Sequence, residues 1–281
     1  MKKLLTVLLI VMMVAAMFTG CGKKEEVKTT LTVALSPDFS PMEFVDTTKS
    51  GQDQFVGFDV ELAKYIAKEM GLTLEIKPMN FDACQAAVQA GAVDMSISGY
   101  SVTDDRKAKY NLSDFYYAGD NETKQTIIVP AGMEGQYKTA ADFAGKTIAA
   151  QVASLQMDLC TSQLPEGCTI KTVTDIGTAV ESLRNGMVDG IAVAEGNGKA
   201  ICANNDKIAM SGFFFEIDSE QENNVVLLKK GADELTAQVN AILAKAYAAG
   251  LYPEWYKAAQ ELAGIDTSAE IGYDDNGAVA N

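Results

Sequence analysis

The chain has 281 residues, 48% of them hydrophobic and 22% charged, enough apolar material for the packed core of one or two domains. Its 23 Lys and Arg stand against 38 Asp and Glu, a formal net charge of -15, so the molecule as a whole repels phosphate backbones and no nucleic-acid partner is expected. With no histidine anywhere there is no imidazole metal site and no Cys-His nucleophile, so neither a metal nor a cofactor is expected.

Lys2 and Lys3 precede the apolar run LLTVLLIVMMVAAMF (4 to 18), which is too short for a membrane span of roughly 20 residues and is shaped like the core of a secretory signal peptide. It ends in Phe18-Thr19-Gly20-Cys21, which resembles the lipobox of bacterial lipoproteins, with Phe18 where leucine is usual. That resemblance implies a signal peptide over 1–20 and a lipid, palmitate included, on Cys21 as the first mature residue; the alternative is an uncleaved anchor helix. The polar stretch that follows makes 21–30 a tether. The mature protein is expected to be soluble, monomeric and lipid-anchored to the cell membrane, facing outside the cytoplasm.

Strands and helices then alternate. LTVALS (31 to 36) has period-two apolar residues; Asp59 can cap a helix through Leu62, Ile66 and Met70 to Gly71; LTLEIKPM (72 to 79) is a second strand, and a short helix from Ala83 to Ala90 closes at Gly91. Val93, Met95 and Ile97 form a third strand. The grammar resumes with KTIAAQ (146 to 151), a helix starting near Ser154, TIKTVTD (169 to 175), a helix through Val180 and Leu183 to Asn185, and the strand VDGIAVA (188 to 194). The tail from Val239 to Gly264 reads as two helices broken near Gly250–Pro253, packing back on a lobe, with Tyr252, Trp255 and Tyr256 as packing groups. In an exported protein Cys160 and Cys168 could bridge, with Pro165 and Gly167 turning the chain between them, whereas Cys84 and Cys202 read as buried thiols.

Two segments repeat each other. AVQAGAVDMSIS (87 to 98) and ESLRNGMVDGIAV (181 to 193) share a helix end, a glycine, Val-Asp and a strand, with Gly91 and Asp94 matching Gly186 and Asp189 at an offset of 95. They predict corresponding strands in two similarly built α/β lobes, whose ligands lie beyond the strands' carboxyl ends. At one such end stand Ser98, Gly99, Ser101 and Arg106; at the other stand Glu195, Gly196 and Asn197. A guanidinium for a carboxylate facing a carboxylate for an ammonium suits a zwitterion, and Ala153-Ser154 opens a helix whose free N–H groups can bind the same carboxylate.

SPDFSPMEF (36 to 44), GFDVELAKYIAKEMG (57 to 71), MNFDACQAAVQAGAVDMSISGYSVTDDRK (79 to 107) and VDGIAVAEGN (188 to 197) resemble the bacterial extracellular solute-binding proteins of family 3, the amino-acid receptors of ABC importers. The resemblance implies a two-lobed periplasmic-binding-protein fold of type II, each lobe a mixed sheet flanked by helices with a two-strand hinge: 30–122 and 227–281 in lobe 1, 123–226 in lobe 2. It implies an amino-acid ligand and an ABC permease as partners. Arg106 would then clamp the ligand carboxylate and be solvated in the ligand-free cleft, Ser98, the Gly99 carbonyl and Ser101 would contact its charged ends, Phe39 and Phe81 would stack on its side chain, Ser154 would complete the carboxylate site, and Glu195 would pair with the ammonium. The chain departs from the family in having Ala194 where the second-lobe acid is usual, and Ala153-Ser154-Leu155 where Gly-Thr-Thr is usual. Asp38 and Asp120 hint at a cationic ligand. The competing reading is an enzyme on the same scaffold, a prephenate or arogenate dehydratase with Glu195 or Asp38 as general acid.

Overall fold

The computed structural model describes residues 28–116 and 124–267; the expectations for the signal peptide, Cys21 and Asp120 lie outside them. In chain order the strands are β1 (Thr30–Leu35), β2 (Asp38–Phe39), β3 (Glu43–Val45), β4 (Phe55–Val56), β5 (Thr73–Pro78), β6 (Met95–Ser101), β7 (Tyr110–Leu112), β8 (Gln125–Pro130), β9 (Thr147–Gln151), β10 (Thr169–Val173), β11 (Gly190–Ala194), β12 (Ile208–Phe214) and β13 (Asn224–Lys229). They form two five-stranded sheets, β5-β1-β6-β13-β7 and β10-β9-β11-β8-β12, with β2, β3 and β4 as a small sheet beside the first. Each large sheet has three parallel strands followed by two antiparallel ones, in the same spatial order.

Parallel strands covered on both faces read as continuous apolar runs rather than alternations. In β1, Leu31 and Val33 pack with Leu62 and Ile66 of the helix Phe58–Glu69 and with Val239, Tyr252 and Tyr256 of the two tail helices, Asp233–Ala248 and Leu251–Leu262. Ala34 faces the other way, onto Cys84 and Val88 of the helix Phe81–Ala90. The tail helices break at Gly250, whose φ of 67° suits a residue without Cβ. In the second lobe Ile148 and Ala150 pack against Leu155 and Leu159, while Ala149 and Ile191 pack against Ala179 and Leu183.

The repeat is structural. The Asp94 carboxylate accepts the Thr32 N–H at 2.7 Å and the Thr32 hydroxyl at 2.8 Å, and Asp189 accepts the Thr147 N–H at 2.8 Å, so each aspartate ties the start of its strand to the neighbouring parallel strand. Gly91 and Gly186, which close the preceding helices, have φ of 72° and 67°.

Three expectations are corrected. Asp59 is not a helix cap: the helix starts after Gly57, and the N–H groups of Phe58 and Asp59 donate to the carbonyls of Pro41 and Met42 at 3.1 and 2.8 Å, which frees the Asp59 carboxylate to turn inward. Gly57 is obligatory there, since a Cβ would lie 2.3 Å from the Met42 oxygen. The return to the first lobe comes at Asn224 rather than 227, because Asn224 already pairs with Ser101 on β6. Cys160 and Cys168 are free thiols: Cys160 sits on the buried face of the helix Leu155–Gln163, Cys168 packs on the same core, and burial pushes the Cys160 thiol up to about 12.

Candidate functional site

β6 carries Ser98, Gly99 and Ser101, three of the residues expected at the site, because it does not stop where its apolar alternation stops. It runs on through Ser98 and Gly99 to Ser101; Gly99 takes a φ of 56°, and the register against β13 shifts between Val225 and Leu227, which re-aims the strand end. Thr103 then caps the helix Asp104–Lys109 by accepting the Arg106 N–H at 3.2 Å. Asp104 and Asp105 face solvent and pair with Lys107 and Lys109, while Arg106 turns inward.

The strand ends of the two lobes face each other across a narrow, closed cavity. From the first lobe it is lined by Phe39, Phe81, Ser98, Gly99, Ser101 and Arg106, and from the second by Ser154 with Leu155 and Gln156 behind it, Gln151, and Ile176. Seven residues expected from the sequence are thus brought together.

Arg106 is 3% exposed in this closed arrangement; solvation is expected of it in the empty, open cleft. Its guanidinium donates to the Ser101 carbonyl at 2.6 Å and, across the cleft, to the Ala153 carbonyl at 3.0 Å, with its carbon 5.6 and 5.1 Å from the ring centres of Phe81 and Tyr100. These carbonyls and ring faces replace the water lost on burial. Ala153 has a φ of 59°, the one positive φ of a non-glycine among the described residues, at the position where the related motif has glycine. Its carbonyl also accepts from Gln85 at 3.2 Å, so a strained residue of the second lobe is held by two donors of the first. The Ser154 hydroxyl accepts the Met157 N–H at 3.1 Å and donates to the Gln151 carbonyl at 2.7 Å, making it a helix cap at the cavity wall.

Glu195 does not line the cavity. β11 ends at Ala194, and Glu195 opens the helix Glu195–Ala203, its carboxylate 3.9 Å from Lys124 and 3.5 Å from Lys199. From β11 it is Ala192 and Val193 that reach the cavity, and the chain has already turned into a helix at the acid.

Two features escaped the sequence reading. Asp38 is an interlobe acceptor: it takes the Ile176 N–H at 2.8 Å, at the start of the helix Ile176–Arg184, and the Gln151 amide at 3.1 Å, and desolvation pushes its carboxyl up. Beneath Ser98 and Gly99 lie two fully buried acids, Glu43 and Asp59. The quoted stretches contain all three, but nothing in a sequence marks an acid as buried.

The protein-family model for bacterial extracellular solute-binding proteins, family 3, matches residues 31–259. The chain belongs to this family. It is 28% identical over 249 residues to the arginine-binding extracellular protein ArtP of Bacillus subtilis (strain 168), covering 86% of this chain and 92% of that one. Identity is 30% over 228 residues with the L-cystine-binding protein TcyJ of Escherichia coli (strain K12), 80% of each chain. Among solved structures, the amino acid ABC transporter substrate-binding protein AbpA of Streptococcus pneumoniae Canada MDR_19A, bound to L-arginine, superposes with a TM-score of 0.76 at 31% identity, covering 84% of this chain and 97% of that one. The shared architecture is the two-lobed type II binding-protein fold, which the chain crosses twice, between Tyr116 and Lys124 and between Phe214 and Asn224.

Proposed function

We propose that this solute-binding protein captures an amino acid between its lobes, outside the cytoplasm, and delivers it to an ABC importer permease. The observation that carries the reading is the interlobe cavity, where one buried guanidinium, Arg106, stands with Ser98, Gly99 and Ser101 opposite the start of the helix behind Ser154. A guanidinium and helix N–H groups together suit a carboxylate, and Phe39 and Phe81 supply apolar walls for the rest of the ligand. ArtP and TcyJ are named for binding arginine and cystine, which supports the amino-acid class for this chain.

In the same reading residues 1–20 are removed, Cys21 carries the lipid, 21–30 tether the monomer, and the two crossings serve as hinge. Among the described residues no helix is long and apolar enough to cross a membrane. Neither candidate acid of the dehydratase reading lines the cavity: Asp38 holds the lobes together and Glu195 lies beside two lysines. The test is a thermal-shift screen of the mature protein against the common amino acids, with prephenate and arogenate as substrates in parallel. At 100 times its dissociation constant a ligand adds about 2.7 kcal/mol. A shift with one or a few amino acids and no turnover is the expected result; turnover, or no shift with any amino acid, overturns the reading.

A further inference from the structure

Glu43 on β3 and Asp59 in the first turn of the helix Phe58–Glu69 are both 0% exposed and close enough to act on each other, yet Glu43 Oε2 and Asp59 Oδ1 meet no hydrogen-bond donor. Two ionised carboxylates side by side would leave both oxygens bare and repel each other, since an ionised acid only accepts; one proton between them answers both. The rest of the pair's hydrogen bonding runs into the binding cleft and toward the hinge. The Ser98 hydroxyl donates to Glu43 while accepting the Ser36 N–H at 3.0 Å. Asp59 accepts the Gly99 N–H at 2.8 Å and the Tyr116 hydroxyl at 3.1 Å, and Tyr116 bridges to Asn224, so the two residues that flank the crossings are in register.

We infer that Glu43 and Asp59 are positioning residues of the binding site: a neutral carboxylic acid and a carboxylate sharing one proton, which fix Ser98 and Gly99 on the cleft side and Tyr116 on the hinge side. Deprotonating Glu43 sets two like charges against each other in a fully buried site, and the pair separates, taking Ser98 and Gly99 with it. The groups that act on the pair are the Asp38 charge on β2 and Tyr100 on β6, beside the Ser98, Gly99 and Tyr116 donors. Burial and the neighbouring acid hold the Glu43 carboxyl well above its usual range, and burial lifts Asp59 to about 6. Both folded values exceed the unfolded ones, so the stability that the pair contributes is complete below about pH 4 and is lost as pH rises through the folded values.

The positioning claim rests on the binding reading above; the shared proton does not, and the experiment separates them. Infrared spectra of the ligand-free protein at neutral pH, recorded in water and deuterium oxide, report a buried protonated carboxyl through its carbonyl stretch. The wild type should show that band and Glu43→Gln should lack it; a wild type without it, or a band that persists in Glu43→Gln, overturns the shared proton. The amide introduced by Glu43→Gln can donate to Asp59 and accept from Ser98, so this variant should bind the amino acid found in the screen within about threefold of wild type and lose the decline of affinity at alkaline pH. Glu43→Ala should bind at least about tenfold more weakly at neutral pH, a difference of about 1.4 kcal/mol. Wild-type affinity in Glu43→Ala, or a pH profile of Glu43→Gln that follows the wild type, overturns the positioning role. If Glu43→Ala fails to fold, the band and the Glu43→Gln pH profile decide alone.

Discussion

The two lobes are built on one plan and finished differently. In both, a glycine in the left-handed region closes a helix, an aspartate clamps the start of the third parallel strand to a threonine of its neighbour, and an antiparallel strand lies beside it. Beyond that point β6 runs on through Gly99 to Ser101 and feeds Arg106 into the cleft, over a buried acid pair, whereas β11 stops at Ala194 and turns at once into a helix whose first residue faces two lysines. The clamp belongs to the framework and is duplicated; the charged side chain that lines the interlobe cavity, Arg106, sits in the first lobe. The second lobe contributes main-chain groups, the Ala153 carbonyl and the beginnings of two helices.

The largest expected effect breaks that asymmetry at its centre. Arg106→Ala should weaken ligand binding by roughly 2 to 5 kcal/mol, the usual cost of removing one side of a desolvated charge pair, about 30-fold to several thousand-fold by calorimetry. Because the side chain is buried and holds two carbonyls, urea unfolding of the ligand-free variant should also show a loss of about 1–3 kcal/mol, while the equivalent truncation in the second lobe, Glu195→Ala, should not.

Asp38→Ala tests the contribution of lobe closure without touching the ligand. Removing a charged acceptor shared by the Ile176 N–H and Gln151 should raise the dissociation constant about tenfold to a hundredfold, at about 1.5–3 kcal/mol for such bonds, with small-angle scattering of the liganded protein shifted toward the open form. Unchanged affinity would mean that this contact follows closure without favouring it.

The duplicated clamp predicts matched effects. Asp94→Ala and Asp189→Ala should each cost about 1–2 kcal/mol in thermal unfolding, the first somewhat more because Asp94 also holds the Thr32 hydroxyl and Lys28, and neither should alter ligand affinity beyond its effect on folding. A large loss from one and none from the other would show that the repeat is one of sequence without shared energetics.

The clamp was legible because glycine, valine and aspartate keep their spacing wherever the plan is used, and the parallel strands because short apolar stretches alternate with helices that have clear ends. The antiparallel strands β8 and β13 were not, since short apolar runs such as TIIV (126 to 129) and VVLL (225 to 228) carry no period that separates strand from helix. Asp59 sat where a helix cap belongs, and only the carbonyls of Pro41 and Met42, reached through Gly57, show that no cap is needed. Glu195 missed the cavity because β11 ends at Ala194 and the acid opens the next helix.

The smallest effect is the most pointed of these. Glu195→Ala removes exposed contacts with Lys124 and Lys199, and such pairs contribute about 0–1 kcal/mol; affinity should stay within about twofold of wild type. A loss of an order of magnitude would restore the second lobe's acid to the site.

At the centre of the proposed function is an amino acid held between the lobes with its carboxylate on the first lobe's guanidinium. A crystal structure of the mature protein grown with the amino acid that gives the largest thermal shift tests it directly. The ligand should lie in the cavity between Phe39 and Ser154, its carboxylate oxygens about 3 Å from Arg106 nitrogens and no part of it in contact with Glu195. A ligand bound elsewhere, or one in the cleft with its carboxylate turned away from Arg106, would contradict it.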